Sequence, residues 1–247
     1  MTAPVFLVES LADVRAGGTL TLEGPEGRHA VSVRRLRVGE EVVLTDGTGS
    51  GAGGTVAAVE GKDRLTVAVT ELRSEPEPPV RITVVQALPK GDRGELAVET
   101  MTETGVDAIV PWAASRCVTQ WKGERAAKSL AKWRATAREA GKQSRRLVFP
   151  EVAEACTTRQ VAALLAEADL AAVLHEEGST PLATAALPAS GSIVLVVGPE
   201  GGVAPDELAA FADAGARPYR LGPTVLRTST AGTAATALLL GRTGRWS

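Results

Sequence analysis

Two rhythms of apolar and polar residues follow one another along the chain, and they change over at a proline-rich break. Up to residue 73 the apolar positions come in short runs, VFLV (5–8), TLTLE (19–23), EEVVLTD (40–46), GTVAAVE (54–60) and RLTVAVTEL (64–72), separated by glycine-rich turns. Short strands at close spacing predict a small β-barrel over residues 1–73. SEPEPP (74–79) holds three prolines and two glutamates that suit neither a helix nor a strand interior, so it reads as a linker. From residue 80 to 247 strand-like and helical periods alternate: RITVVQAL, a helix near 93–104, DAIVPW, a long helix near 124–142, LAAVLH, SIVLVV, a helix near 205–214, RPYRL and a last helix near 229–240. That alternation predicts an α/β domain, a parallel sheet with helices on its faces.

Spacing supports the long helix. Leu130, Trp133, Ala137 and Ala140 recur at i, i+3, i+7 and i+10 and form one apolar face, while Arg134, Arg138, Lys142 and Arg145 form a separate stripe that the pattern turns outward. A solvated face normally mixes signs, and this one hardly does. Between Lys122 and Arg146 nine Lys or Arg stand against Glu124 and Glu139, and Arg28, Arg34, Arg35 and Arg37 form a second cluster without an acid among them. The formal net charge is only −2, so an acidic remainder with two basic patches predicts contact with phosphate at defined places.

Composition excludes several classes. With 247 residues and 44% hydrophobic content the chain builds one large core or two modest ones. The apolar runs Ile193 to Val197 and Ala237 to Leu240 are far short of a membrane span, and the first residues lack a signal peptide's cationic start and apolar core, which predicts a cytoplasmic protein with no membrane partner. Cys117 and Cys156 have no Cys-x-x-Cys partner and His29 and His175 are the only histidines, so no metal site is expected and the thiols read as buried and inert.

GSGAGG (49–54) fits a dinucleotide-binding fingerprint, but TVAAVE after it is strand-like where a helix N-terminus is required, so a hairpin loop is predicted instead. Gly-Pro-Glu-Gly occurs at 24–27 and again at 198–201, and context must separate them. At the second site SIVLVV delivers the turn to a sheet end, and Pro205-Asp206-Glu207 opens a helix with acids suited to its N-terminus. Open α/β sheets bind ligands at such ends. RPYRL then runs into Gly222-Pro223 and VLRTSTAGTAATALLL, where Thr228 or Ser229 is a candidate cap for the last helix. The two Gly-Pro turns are either unrelated or two loops around one small molecule. Arg227 lies between them and the helix, where an uncharged environment would make it expensive unless paired; it is the first candidate for a catalytic or substrate-holding cation.

VVGPEGGVAPDEL with LGPTVLRTSTA resembles the C-terminal signature of the RsmE family, the 16S ribosomal RNA uridine N3-methyltransferases of the SPOUT superfamily. RHAVSVRRLRVGEEVVLTDGTG, KGDRGELAVETMTETGVDAIVPWAASRC and KWRATAREAGKQSRRLVFPEV resemble further family segments in the same order, so the likeness covers nearly the whole chain. The resemblance implies a PUA-like RNA-binding barrel (1–73) followed by a SPOUT methyltransferase domain (80–247) with a deep C-terminal trefoil knot. It further implies S-adenosylmethionine as cofactor, S-adenosylhomocysteine as product, a homodimer, and 16S rRNA or the small ribosomal subunit as partner.

Carried over residue by residue, Val197, Gly198, Pro199, Glu200, Gly201 and Gly202 match one cofactor loop, and Leu221, Gly222 and Leu226 match another. Arg227 would stabilise charge on the uracil oxygens while Thr228, Ser229, Thr230 or a water relays the proton. Arg28, His29, Arg34, Arg35, Arg138, Lys142, Arg145 and Arg146 would grip RNA phosphates. Two positions depart from the pattern: many relatives have Glu where this chain has Ser229, and often Lys at Thr100. The rival functions are ribose 2′-O methylation by another SPOUT activity and noncatalytic RNA binding.

Overall fold

A computed structural model describes residues 3–246, which separate into two compact units. The first holds the chain up to Glu77 together with Gly141–Phe149, a return that the linker at 74–79 does not signal. Its elements are β1 (Val5–Leu7), β2 (Thr19–Leu22), α1 (Gly24–Arg28), a π-helical turn (His29–Val33), β3 (Glu41–Thr45), β4 (Ser50–Glu60) and β5 (Arg64–Ser74). The strands form one sheet in the order β1-β3-β4-β5-β2, antiparallel except for β1 beside β3. Alternate residues of β5, Leu65, Val67 and Val69, join Phe6, Leu22, Leu44 and Val56 in its core, as period-two patterning requires.

Two expectations fail here. GSGAGG is not a hairpin loop: the turn is Asp46 to Gly49, and Ser50 to Gly54 already belong to β4. Its glycines serve close approach, because a Cβ on Gly54 would lie 2.4 Å from the Ala68 carbonyl oxygen and one on Gly51 2.8 Å from a Leu147 methyl. Asp46 closes the turn by accepting the Thr48 and Ser50 N–H groups at 2.8 and 3.3 Å. Partial burial pushes its carboxyl up, but these hydrogen bonds outweigh that and hold it below the usual value.

The second correction concerns the basic stripe. Lys142 is only 7% exposed, and its ammonium lies 2.7 Å from Glu26 Oε1, while Glu26 Oε2 accepts the Leu7 N–H. Residues 141–149 pack inside this unit, so position 142 meets protein where the helical pattern alone expects water. Arg145 lies beyond the helix end with a left-handed backbone (φ 61°) and is exposed.

The second unit contains β6 (Val80–Ala87), α2 (Arg93–Thr104), β7 (Ala108–Trp112), most of α3 (Glu124–Gln143), β8 (Glu151–Val152), α4 (Thr158–Ala166), β9 (Leu170–Leu174), β10 (Thr180–Pro181), β11 (Gly191–Val197), α5 (Pro205–Asp213), β12 (Arg217–Arg220) and α6 (Thr228–Arg242). Seven strands form a wholly parallel sheet in the order β10-β12-β9-β11-β6-β7-β8. All five residues of β7, and Ile193 to Val197 of β11, are buried, which demands cover on both faces.

Leu130, Trp133, Ala137 and Ala140 of α3 are buried as the spacing predicts, with the Trp133 ring edge-on to Trp121. In place of a free outward face, Arg134 donates to the Val152 carbonyl and to Glu154, both at 3.0 Å. Helix α4 was missed, although Thr157 and Gln160 form a capping box that the sequence displays. Helix α6 packs on α2 where Gly232 faces Met101, and Thr100 Oγ1 lies 2.7 Å from Thr233 Oγ1. Beyond α6, Arg245 makes two hydrogen bonds to Asp107, at 2.6 and 2.9 Å, while Asp107 also accepts the Ile82 N–H at 2.7 Å.

Candidate functional site

β12, β9 and β11 lie side by side with parallel direction, and the registers Leu174 with Val197 and Leu174 with Tyr219 bring their carboxyl ends to one edge of the sheet. In the chain β9 precedes β11 and β12, yet in space it lies between them, so connections leave this edge in both directions. Such a reversal opens a crevice at the strand ends. Here the crevice is a cavity of about 700 Å³ walled by three segments, His175–Glu177, Gly198–Val203 and Leu221–Leu226.

The middle wall owes its shape to its composition. Gly202 is left-handed (φ 72°) and its N–H returns to the Pro199 carbonyl at 2.9 Å, closing the turn. Glu207, a residue the sequence marks as favourable to a helix N-terminus, is 3% exposed and anchors the loops. One oxygen accepts the Ala204 N–H at 3.1 Å, and the other accepts the Ser115 N–H at 2.8 Å and the Thr158 hydroxyl at 2.9 Å. Arg116 donates to the Gly201 carbonyl at 3.0 Å, and Glu200 accepts the Lys90 N–H at 3.2 Å.

The third wall is different. Among the described residues, no main-chain hydrogen bond ties Gly222 to Val225, and a Cβ on Gly222 would meet nothing within 4 Å. Open N–H and C=O groups therefore lie beside the apolar side chains Leu174, Val197, Leu221 and Leu226. That combination fits a purine nucleoside, whose base needs flat apolar contact and whose edge needs donors and acceptors. Glu176, Glu177 and Glu200 can complement a cationic portion, and Arg116 and Arg220 a carboxylate.

All of the residues matched to the cofactor loops, Val197, Gly198, Pro199, Glu200, Gly201, Gly202, Leu221, Gly222 and Leu226, line this one cavity, and Thr228 joins them. Arg227, Ser229 and Thr230 do not line it. Arg227 is exposed and has no side-chain ion pair among the described residues, so the expectation of an expensive, enclosed environment is not met. Neither Thr228 nor Ser229 caps α6: the cap position is Arg227, whose carbonyl accepts the Thr230 and Ala231 N–H groups. Thr228 is drawn away because its hydroxyl donates to the Gly198 carbonyl at 2.8 Å. Ser229 is buried with no hydrogen-bond partner for its hydroxyl among the described residues, and Thr230 donates to the Arg227 carbonyl.

The wall at His175–Glu177 and the Arg116 loop escaped sequence reasoning. LAAVLHEEG has the same strand-then-break form as the other two, but it ends in acids and lacks the Gly-Pro pair that drew notice. Burial pushes both cysteine thiols up, so each stays protonated at neutral pH.

In the first unit Arg28, Arg34 and Arg35 are exposed around the π-helical turn, and Arg34 and Arg35 have no ion-pair partner among the described residues. His29 is half-buried, its ring edge-on to Phe6 at 5.7 Å. Arg146 is half-buried, and in the second unit Arg138 lies on α3 with Glu139 3.9 Å away.

Residues 76–240 match the RNA methyltransferase domain family, and residues 22–70 match the RNA methyltransferase PUA domain. A Mycobacterium bovis protein named ribosomal RNA small subunit methyltransferase E is 47% identical over 100% of this chain and 94% of its own length. Its Bacillus subtilis namesake is 29% identical over 92% of this chain and 91% of that protein. A crystal structure of ribosomal RNA small subunit methyltransferase E from Neisseria gonorrhoeae, bound to S-adenosylmethionine, superposes with a TM-score of 0.86 at 30% identity, covering 98% of each chain.

Proposed function

The chain belongs to the ribosomal RNA small subunit methyltransferase E family, a family of S-adenosylmethionine-dependent enzymes, and on that footing we propose that it methylates N3 of one uridine in 16S rRNA. The observation that carries this reading is the 700 Å³ cavity in which both bare-backbone loops meet at the ends of three parallel strands. S-adenosylmethionine supplies an electrophilic methyl group on sulfur and departs as S-adenosylhomocysteine. Leu174, Val197, Leu221, Leu226 and the open main chain of Gly222 to Val225 would hold its nucleoside.

Alkylating N3 requires loss of the imide proton, so negative charge develops on the uracil oxygens and must be met by a donor. Arg227, an exposed guanidinium with no side-chain ion pair among the described residues, is that donor. The proton leaves through the hydroxyl of Ser229 or Thr230 or through water. N3 lies on the pairing edge, so the target base must be unpaired or extruded.

The finer architecture is part of the same proposal. Residues 1–73, joined by Gly141–Phe149, make a PUA-like barrel that binds RNA, the rest of residues 80–247 form a SPOUT domain whose loops at 198–204 and 221–227 are passes of a trefoil knot, and two copies pair into a cytoplasmic homodimer. No helix among the described residues is long and apolar enough to cross a membrane. Arg28, His29, Arg34, Arg35, Arg138, Arg145 and Arg146 would contact RNA, with Lys142 removed from that set by its buried pairing to Glu26.

Incubation with labelled S-adenosylmethionine and undermethylated small subunits or free 16S rRNA, followed by digestion and mass spectrometry, tests the assignment. A methyl on uracil N3 is expected. A methyl on a ribose, or binding without transfer, would favour the rival activities. Reversing charge at Arg34 and Arg35 is expected to weaken RNA binding and reduce its salt slope by roughly 0.7–0.9 for each phosphate that is no longer neutralised, with cofactor affinity unchanged. Filter binding at two salt concentrations measures it.

A further inference from the structure

We infer that Gln86 and Thr228 are positioning residues that staple the two cofactor loops together, and that the Thr228 hydroxyl takes no part in moving the uracil proton. The inference rests on the function proposed above and deepens it.

Gln86 is fully buried near the carboxyl end of β6, opposite Val197 of β11 and Pro111 of β7. Its side-chain nitrogen lies 3.1 Å from the Ala87 carbonyl oxygen and 3.0 Å from Thr228 Oγ1. A carbonyl only accepts, so the amide must present its NH₂ to this side, and the orientation is settled by chemistry. Thr228 Oγ1 lies 2.8 Å from the Gly198 carbonyl oxygen, again an acceptor only, so the single hydroxyl proton is directed there. The chain runs one way, from Gln86 N–H to Thr228 O–H to the Gly198 carbonyl.

Direction decides the role. A relaying hydroxyl must pass its own proton to a base as it accepts another. The bond from Thr228 ends on a peptide carbonyl, far too weakly basic to take a proton, and its other neighbour is an amide donor. Thr228 is 7% exposed, so a reorientation toward substrate would leave the Gly198 carbonyl and the Gln86 N–H without partners.

Position gives the alternative. Gly198 is the first residue after β11, and Thr228 is the first residue of α6 after the Leu221–Arg227 loop. Without main-chain hydrogen bonds of their own among the described residues, Gly222 to Val225 depend on anchorage at the ends of the loop. The Gln86–Thr228–Gly198 chain supplies it on the side where both loops line the cavity.

The test compares Thr228→Val, Thr228→Ser and Gln86→Met with the full-length enzyme, measuring S-adenosylmethionine and S-adenosylhomocysteine affinity by calorimetry and the pH profile of kcat on small subunits. Thr228→Val is expected to raise the cofactor Kd and KM 10-fold or more, with kcat at saturation within about threefold and its pH profile unmoved. Thr228→Ser, which keeps the hydroxyl, should restore wild-type affinity, and Gln86→Met should resemble Thr228→Val without adding to it in the double variant. Unchanged affinity in Thr228→Val, or a fall in kcat with a displaced pH profile, overturns the inference. If Thr228→Val does not fold, Thr228→Cys takes its place: the weak thiol donor should bind cofactor less tightly than Thr228→Ser, and equal affinity refutes the staple. Failure of the unaltered protein to bind either compound would instead refute the proposed function.

Discussion

Arg227→Ala should lose methyl transfer by a factor of about 10² to 10³, the usual cost of removing one donor to developing negative charge, while S-adenosylmethionine affinity stays within about twofold of the unaltered protein. Folding should survive the change. What Arg227 gives α6 is a main-chain carbonyl, accepting the Thr230 and Ala231 N–H groups, and alanine supplies the same. Its side chain is exposed and unpaired in an ion pair among the described residues, so no buried partner is stranded. Arg227 does not line the cavity, which is why cofactor binding should be spared. Arg227→Lys should recover only part of the rate, because a point charge cannot present two parallel donors to the uracil edge. Single-turnover methylation with saturating cofactor is the measurement, and a rate equal to that of the unaltered enzyme would remove Arg227 from the mechanism.

Asp107→Ala should destabilise the protein by about 3–5 kcal/mol, the range for breaking a buried ion pair from one side. Asp107 is 9% exposed and accepts three hydrogen bonds, two from Arg245 and one from the Ile82 main chain. Its removal leaves a largely buried guanidinium with only the Val80 carbonyl, 3.3 Å from its Nη1, and a buried β6 N–H without an acceptor among the described residues. The pair fastens the segment beyond α6 to the strand carrying Gln86, so the loss should also loosen the helix whose start faces the cavity. Arg245→Ala should cost less, since Asp107 keeps the Ile82 N–H. Urea titration monitored by tryptophan fluorescence gives both values, and a midpoint unchanged in Asp107→Ala would show that the pair contributes nothing net.

How much of this was legible beforehand varies by element and for identifiable reasons. β11 and α5 were readable because a continuous apolar run and an acidic helix start are local features. Gly-Pro-Glu-Gly was not: at 24–27 it forms helix α1, with the Glu26 carboxylate taken by Leu7 and Lys142, while at 198–201 it is an open loop. The same four residues follow whichever partners surround them. The wall of the cavity at His175–Glu177 lacked the Gly-Pro signal, because it belongs to the site through the strand order β12-β9-β11 and not through glycine. Helix α4 was legible in its capping box and was missed.

The sequence by itself determined the α/β alternation, the apolar face of α3, the family and the two Gly-Pro loops that wall the cavity, since periodicity, turn chemistry and ordered motifs are properties of neighbouring residues. Only the tertiary structure decided that Lys142 is buried against Glu26 while Arg34 stays in water, and that Thr228 spends its proton on Gly198 instead of capping its own helix. Burial and hydrogen-bond direction depend on groups that meet from distant points of the chain, here 116 residues apart for one pair and 30 for the other, and no local pattern encodes such encounters.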